Sequence, residues 1–149
     1  MALNIGSNLF GKADDEGKKK KEHYYSVHPS SFLSADPRDD DIIYGAGNLR
    51  VAGGIPAYLV APLNLPHGAV ITSAVVYGNV GLSTDGWIVT KQSVTASAGN
   101  TLAFANCNTW ANANQAYSDV DNLNFHYCVL VTLPDATDEL YGAVIIYTI

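Results

Sequence analysis

The sequence predicts an all-β protein, an antiparallel β-sandwich of eight to ten strands. Three observations predict it. Short apolar runs recur at roughly ten-residue spacing, each closed by Gly, Pro, Asn or Asp, the rhythm of sandwiches and barrels. No segment carries the 3.6-residue apolar period of an amphipathic helix. The composition is that of strands and turns: nine Tyr, with abundant Val, Thr and Asn.

The chain divides in two. Residues 1–22, "MALNIGSNLFGKADDEGKKKKE", hold a block of charge without an apolar period and read as a solvated leader. Residues 23–149 read as one domain, long enough to bury a core. The strands follow in order. "HYYSV" (23–27) ends at Pro29. "HPSSFLSADPRDDD" is loop. "LRVAGG" (49–54) is a short strand closed by glycines. "AYLVAPL" (57–63) is extended, and its proline suggests an edge. "GAVITSAVVYGNV" (68–80) and "GWIVTKQSVT" (86–95) alternate clearly. "NTLAFANC" (100–107) follows, then a weaker "QAYSDVD" (115–121). "FHYCVLVTL" (125–133) and "ELYGAVIIYTI" (139–149) close the chain. In "NLPHGAVIT", Pro66 biases Leu65 toward extended backbone and Gly68 tolerates a positive φ. His67 is then the corner of a turn that launches a strand.

The closing strands are apolar on both faces. Leu140, Gly142, Val144 and Ile146 alternate with Tyr141, Ala143, Ile145 and Tyr147. A sheet facing water alternates apolar with polar, so the outer face needs a cover. A subunit interface is the expected cover, with Tyr127, Tyr141, Ile145 and Tyr147 lining it.

Charge and cysteine content narrow the function classes. Charged residues are only 15% of the chain and the formal net charge is -6. That argues against a nucleic-acid partner, because phosphate binding needs clustered Lys and Arg. No apolar run approaches a membrane span. No charged n-region precedes an apolar h-region, so no signal peptide is expected in this chain, and the compartment is left open. Two cysteines are too few for a disulfide scaffold; Cys107 and Cys128 read as thiols, with a bridge between them left open.

Motifs for chemistry are sparse. His23, His28, His67 and His126 show no metal-ligand spacing, and neither an H-E-x-x-H nor a C-x-x-C site is present. There is no G-x-S-x-G elbow. "GAG" (45–47) lacks the strand-to-helix context of a phosphate loop. The acidic stretches at 36–41 and 135–139 lack the calcium-loop pattern. No cofactor and no enzymatic activity are expected. Cys107, in a polar stretch, is a candidate exposed residue. Trp110 lies in "NTWANANQAY", and with Asn106, Asn108 and Asn112 it offers a stacking surface and amides for a carbohydrate or other small ligand.

The stretches "AYLVAPLNLPHGAVITSAVVYGNV", "WIVTKQ", "SDVDNLNFHYCVLVTLP" and "LYGAVIIYTI" together resemble a set of bacterial and metagenomic domains. In those, "APVxLPxGAxIT" opens a central strand, "VDNxxxxY" opens the penultimate one and "LYGVxIxY" ends the chain. The resemblance runs from about Tyr24 to Ile149. The pattern is similar to the compact jelly roll of the C1q and tumour-necrosis-factor group, and implies a homotrimer joined through one sheet. Unlike that group, this chain has no Gly-X-Y stalk. The expectation is a structural or interaction module that self-associates as a trimer, with glycan or small-ligand binding as the alternative.

Overall fold

The computed structural model describes residues 20–36, 41–53, 56–79 and 86–149. Most of the expected leader, residues 1–19, lies outside them; Glu22 already belongs to the first strand. Eleven strands run β1 (Glu22–Val27), β2 (Leu33–Ser34), β3 (Ile42–Tyr44), β4 (Leu49–Val51), β5 (Ala57–Leu63), β6 (Val70–Gly78), β7 (Gly86–Ser93), β8 (Gly99–Asn106), β9 (Ala111–Asn112), β10 (Phe125–Leu133) and β11 (Leu140–Thr148). A 3-10 turn, Pro29–Ser31, follows β1.

The strands form two antiparallel sheets. One has the order β3-β4-β11-β6-β9, with β1 also paired to β11; the other has the order β2-β5-β10-β7-β8. The four-strand orders β4-β11-β6-β9 and β5-β10-β7-β8, face to face, make a jelly roll. The expected eight to ten strands become eleven because β2, β3 and β9 are only two or three residues long, too short to show a period. Conversely, "QAYSDVD" is not a strand. It holds a turn and one bridge, Asp119 to Val70. β5 lies one place in from the edge. Its outer neighbour β2 pairs only Val60 and Leu59, which leaves Pro62 an open side where no N–H is needed.

The core is filled by alternate residues of the long strands. Trp87 and Val89 of β7 lie beside Tyr127, Val129, Val131 and Leu133 of β10 on the inner face of one sheet, with Leu59, Ala61 and Leu63 of β5 on the other side of β10. Ile71, Ala74 and Val76 of β6 join Ala143 and Ile145 of β11 from the other sheet. The buried indole of Trp87 donates from Nε1 to the Asn106 carbonyl at 3.1 Å, so its polar end is satisfied.

One glycine carries a specific load. β11 shifts register between Leu140 and Gly142, and Gly142 has φ +123°. A Cβ there would stand 2.5 Å from the Val27 carbonyl oxygen of β1. The bulge thus lets β1 dock against β11. Gly142→Ala is expected to cost at least about 1–2 kcal/mol from the backbone conformation alone. Tm then falls by roughly 2–8 °C in a thermal melt. Gly47→Ala, with open space around it, should leave Tm unchanged.

Candidate functional site

The turn and the loop that the "LPHG" and "VDN" segments form are locked to each other. Ala69 N–H donates to the Pro66 carbonyl at 3.1 Å, closing a turn around His67 and Gly68, whose φ is +82°. Gly68 N–H reaches the Val120 carbonyl at 2.8 Å, and Val120 N–H returns to the Ala69 carbonyl at 2.8 Å. Asn122 donates from its backbone to His67 Nδ1 at 3.2 Å and from Nδ2 to the Leu65 carbonyl at 2.8 Å. His67 is therefore a structural acceptor. The Asn124 carboxamide at 2.8 Å is the main cause holding the Asp121 carboxyl below the usual carboxylate range, and the Leu123 N–H adds to it. Burial pushes the Tyr127 phenol up. Its hydroxyl accepts from Asp121 N–H at 2.8 Å and donates to the Asp119 carbonyl at 3.1 Å, bracing the loop from inside the sandwich.

That geometry corrects the expected interface. Tyr127 and Ile145 are 2% and 0% exposed, on the faces turned into the sandwich. They are committed to the core because they fall on the inward side of the pleat, where alternate side chains of β10 and β11 pack between the two sheets. Tyr147 is half-buried against the same core, with its ring stacked 5.3 Å from His23. Of the four, only Tyr141 is exposed, its hydroxyl donating to Glu139 at 3.3 Å.

The expected ligand-binding set is also divided. Asn108 has φ +63° and spends its side chain on the fold: Oδ1 accepts from Gly78 N–H at 3.2 Å and Nδ2 donates to the Gly78 carbonyl at 3.1 Å. Trp110, 47% exposed, and Asn112 lie at the β9 edge of the six-stranded sheet, whereas Asn106 ends β8 in the other. Asn112 lines a cavity of about 320 Å³ with Thr101, Phe104 and Asn114. Cys107 is buried, not exposed as expected; Cys128 is also buried, its Sγ 3.1 Å from Thr90 Oγ1, and neither is in a disulfide.

The histidines stay apart: His23 on Tyr147, His28 accepting from Ser30 N–H at the 3-10 turn, His67 in its turn, His126 on the outer side of β10. Among the described residues no group of three metal-ligating side chains comes together. Asp135 and buried Asp138 cap their own turn through Thr137 and the Asp135 N–H. In the acidic stretch 36–41, residues 37–40 lie outside the described residues.

What the sequence reading passed over is the outer face of the five-stranded sheet. The register places Leu33, Val60, Leu130, Ile88 and Phe104 in one row across all five strands. Leu33 is 58% exposed and Phe104 71%. Four inter-strand gaps make the row roughly 19 Å long. The next row brings Tyr58, 56% exposed, and Thr132; the row on the other side brings Pro62, Cys128, Thr90 and Thr101. A groove of about 240 Å³ lies on this face, lined by Tyr58, Gly86, Ile88, Leu130 and Thr132 among others. None of the residues in these rows is charged. The signal was present in the alternation: Tyr58, Val60 and Pro62 sit between buried Leu59, Ala61 and Leu63, so both sides of β5 are apolar.

Comparison with known proteins bears on the fold. No family model matches the chain, and no curated protein matches it either. Among solved structures it is similar to a xylan-binding module, CBM15, at 14% identity and a TM-score of 0.50, over 86% of this chain and 97% of that one. It is also similar to the CBM22-1 and GH10 modules of the Clostridium thermocellum N-terminal endo-1,4-beta-D-xylanase 10B, complexed with xylohexaose. There the identity is 13% and the TM-score 0.48, over 85% of this chain and 28% of that one. The likeness to the first is one of fold.

Two outcomes follow from the braced loop. Tyr127→Phe leaves the Asp121 N–H without its partner and removes one of the two donors to the Asp119 carbonyl, the other being Lys91 Nζ, at a cost of about 1–3 kcal/mol in denaturant unfolding. The Asp121 and Asp135 carboxyls are both held low by hydrogen bonds. Each contributes stability above the ordinary carboxylate value, about 3.9. That stability is lost as pH falls through the lowered folded-state value. Thermal melts from pH 6 to 2 should show the wild type losing more Tm than Asp121→Asn or Asp135→Asn.

Proposed function

We propose that this protein is a non-catalytic binding module that holds an uncharged polysaccharide on the outer face of the β2-β5-β10-β7-β8 sheet. One observation carries the reading: an apolar row across five strands, flanked by the exposed rings of Tyr58 and Phe104, on a face whose rows hold no charged side chain. The chemistry fits a sugar chain. The axial C–H faces of pyranose rings pack on apolar and aromatic side chains, while the rim hydroxyls need neutral hydrogen-bond partners. Thr132, Thr101 and Gln92 of the neighbouring rows supply those partners without charge. The fold it shares with a xylan-binding module makes xylan the first ligand to test.

A second copy of this chain is the other occupant such a face admits, and self-association is kept as the second reading. The same exposed row favours it, because Tyr127 and Ile145 are inside the sandwich and any trimer must use outward residues.

Burying one Phe or Tyr ring against a ligand contributes about 1.5–3 kcal/mol, roughly ten- to hundredfold in Kd. Affinity electrophoresis in gels containing xylan, with polygalacturonate as an anionic control, should retard the wild type on xylan only. Phe104→Ala and Tyr58→Ala should each lose most of the retardation, and Trp110→Ala should keep it. Sedimentation velocity at micromolar concentration should show a monomer. An oligomer that Phe104→Asp dissolves, with no retardation on xylan, would select the second reading.

A further inference from the structure

The paired backbones of β5 and β10 end at Leu63 and Tyr127. Beyond that pair, Asn64, Leu65 and Pro66 leave the sheet toward the His67 turn, while residues 119–124 loop over from the other side. The gap between them is a cavity of about 480 Å³, larger than the two on or beside the apolar row. Buried Leu63, Leu65 and Tyr127, half-buried Phe125 and exposed Pro66 supply apolar walls, and exposed Asn64, Asn122 and His126 supply polar ones. Leu130 and His126 are four residues apart on β10, so this cavity lies roughly 14 Å along the strand from the row.

The walls are held in place by bonds that leave ligand-binding capacity unused. Asn122 is fixed by its Nδ2 bond to the Leu65 carbonyl and its N–H bond to His67, and its Oδ1 has no hydrogen-bond partner among the described residues. Lys91 Nζ sits 4.4 Å from the Phe125 ring centroid and donates to the Asp119 carbonyl at 3.0 Å, which fixes that ring. The side chains of Asn64 and His126 make no hydrogen bond among the described residues. Two carboxamides and an imidazole, each with donors or acceptors to spare, thus border an apolar cavity that, among the described residues, no carboxylate, ammonium or guanidinium lines.

We infer that this cavity is a second binding site, separate from the sheet face, for a single neutral polyol unit the size of one sugar ring. Its apolar walls take the C–H edge of the ring, and Asn64, Asn122 and His126 take its hydroxyls. A free monosaccharide and the end unit of a longer chain share this chemistry. In its ligand class the inference rests on the glycan reading above, but none of its residues belongs to the apolar row.

Amide chemical-shift mapping tests it. The 15N-labelled protein is titrated separately with D-xylose, D-glucose, D-galactose and D-mannose to tens of millimolar. With at least one sugar, Asn64, Asn122, Phe125 and His126 should shift saturably. The double variant Asn64→Ala/His126→Ala changes only exposed side chains, and it should weaken that response tenfold or more. Phe104→Ala should leave it intact. The inference is overturned if no sugar moves those four residues saturably, or if the shifts survive in the double variant. Retardation on xylan without these shifts would remove the cavity and leave the sheet face standing. Cavity shifts without retardation would do the reverse.

Discussion

The structure depends on the burial of the two closing strands against each other. β10 and β11 are the central strands of their sheets: β5 and β7 flank β10, while β6 flanks β11 opposite β1 and β4. Tyr127, Val129, Val131 and Leu133 on one and Leu140, Ala143 and Ile145 on the other are all nearly inaccessible to solvent. Each fully buried aliphatic side chain in that layer contributes about 1.5–3 kcal/mol relative to exposure. Every other strand is positioned by pairing directly or indirectly with these two. The Gly142 bulge and the Tyr127 hydroxyl are adjustments to that packing. The first lets β1 approach, and the second ties the 119–121 loop to the end of β10.

β5 and β10 were legible because they hold the two-residue period along their length, whereas the shared ladder of β6 and β11 breaks it at two register shifts. β5 and β10 were readable to the residue. β2, β3 and β9 were not, since two or three residues carry no period and owe their pairing to neighbours distant in sequence. The turn at His67 was legible from Pro66 and Gly68, whose backbone preferences are local. Its lock onto Asn122 was not, because 55 residues separate the partners.

The candidate site shows the same division. That the closing strands are apolar on both faces was visible in sequence, and the outer row through Leu130 is apolar in the structure. Which face turns outward was not visible, because alternation alone does not orient a strand that is apolar on both sides. Tyr127 and Ile145 were therefore assigned to the wrong side, and Leu130, their outward counterpart on β10, was passed over. The Asn-rich loop looked like a cluster in sequence. In space it rounds the edge from one sheet to the other, and Asn108 is consumed in extending the β6 ladder.

Among the described residues the apolar row and the rows beside it hold no charged side chain, and under the proposed reading that sets what binds there. Charged partners gain nothing from it, and an apolar row bordered by threonines suits ligands that are flat, neutral and hydroxylated. A crystal structure of the protein with a neutral xylan hexasaccharide tests that claim most directly. The sugar chain should lie across β5, β10, β7 and β8, with rings over Tyr58 and Phe104. A chain seated instead on the six-stranded sheet beside Trp110, or a second copy of the protein covering the Leu33–Phe104 row and excluding the sugar, would contradict it.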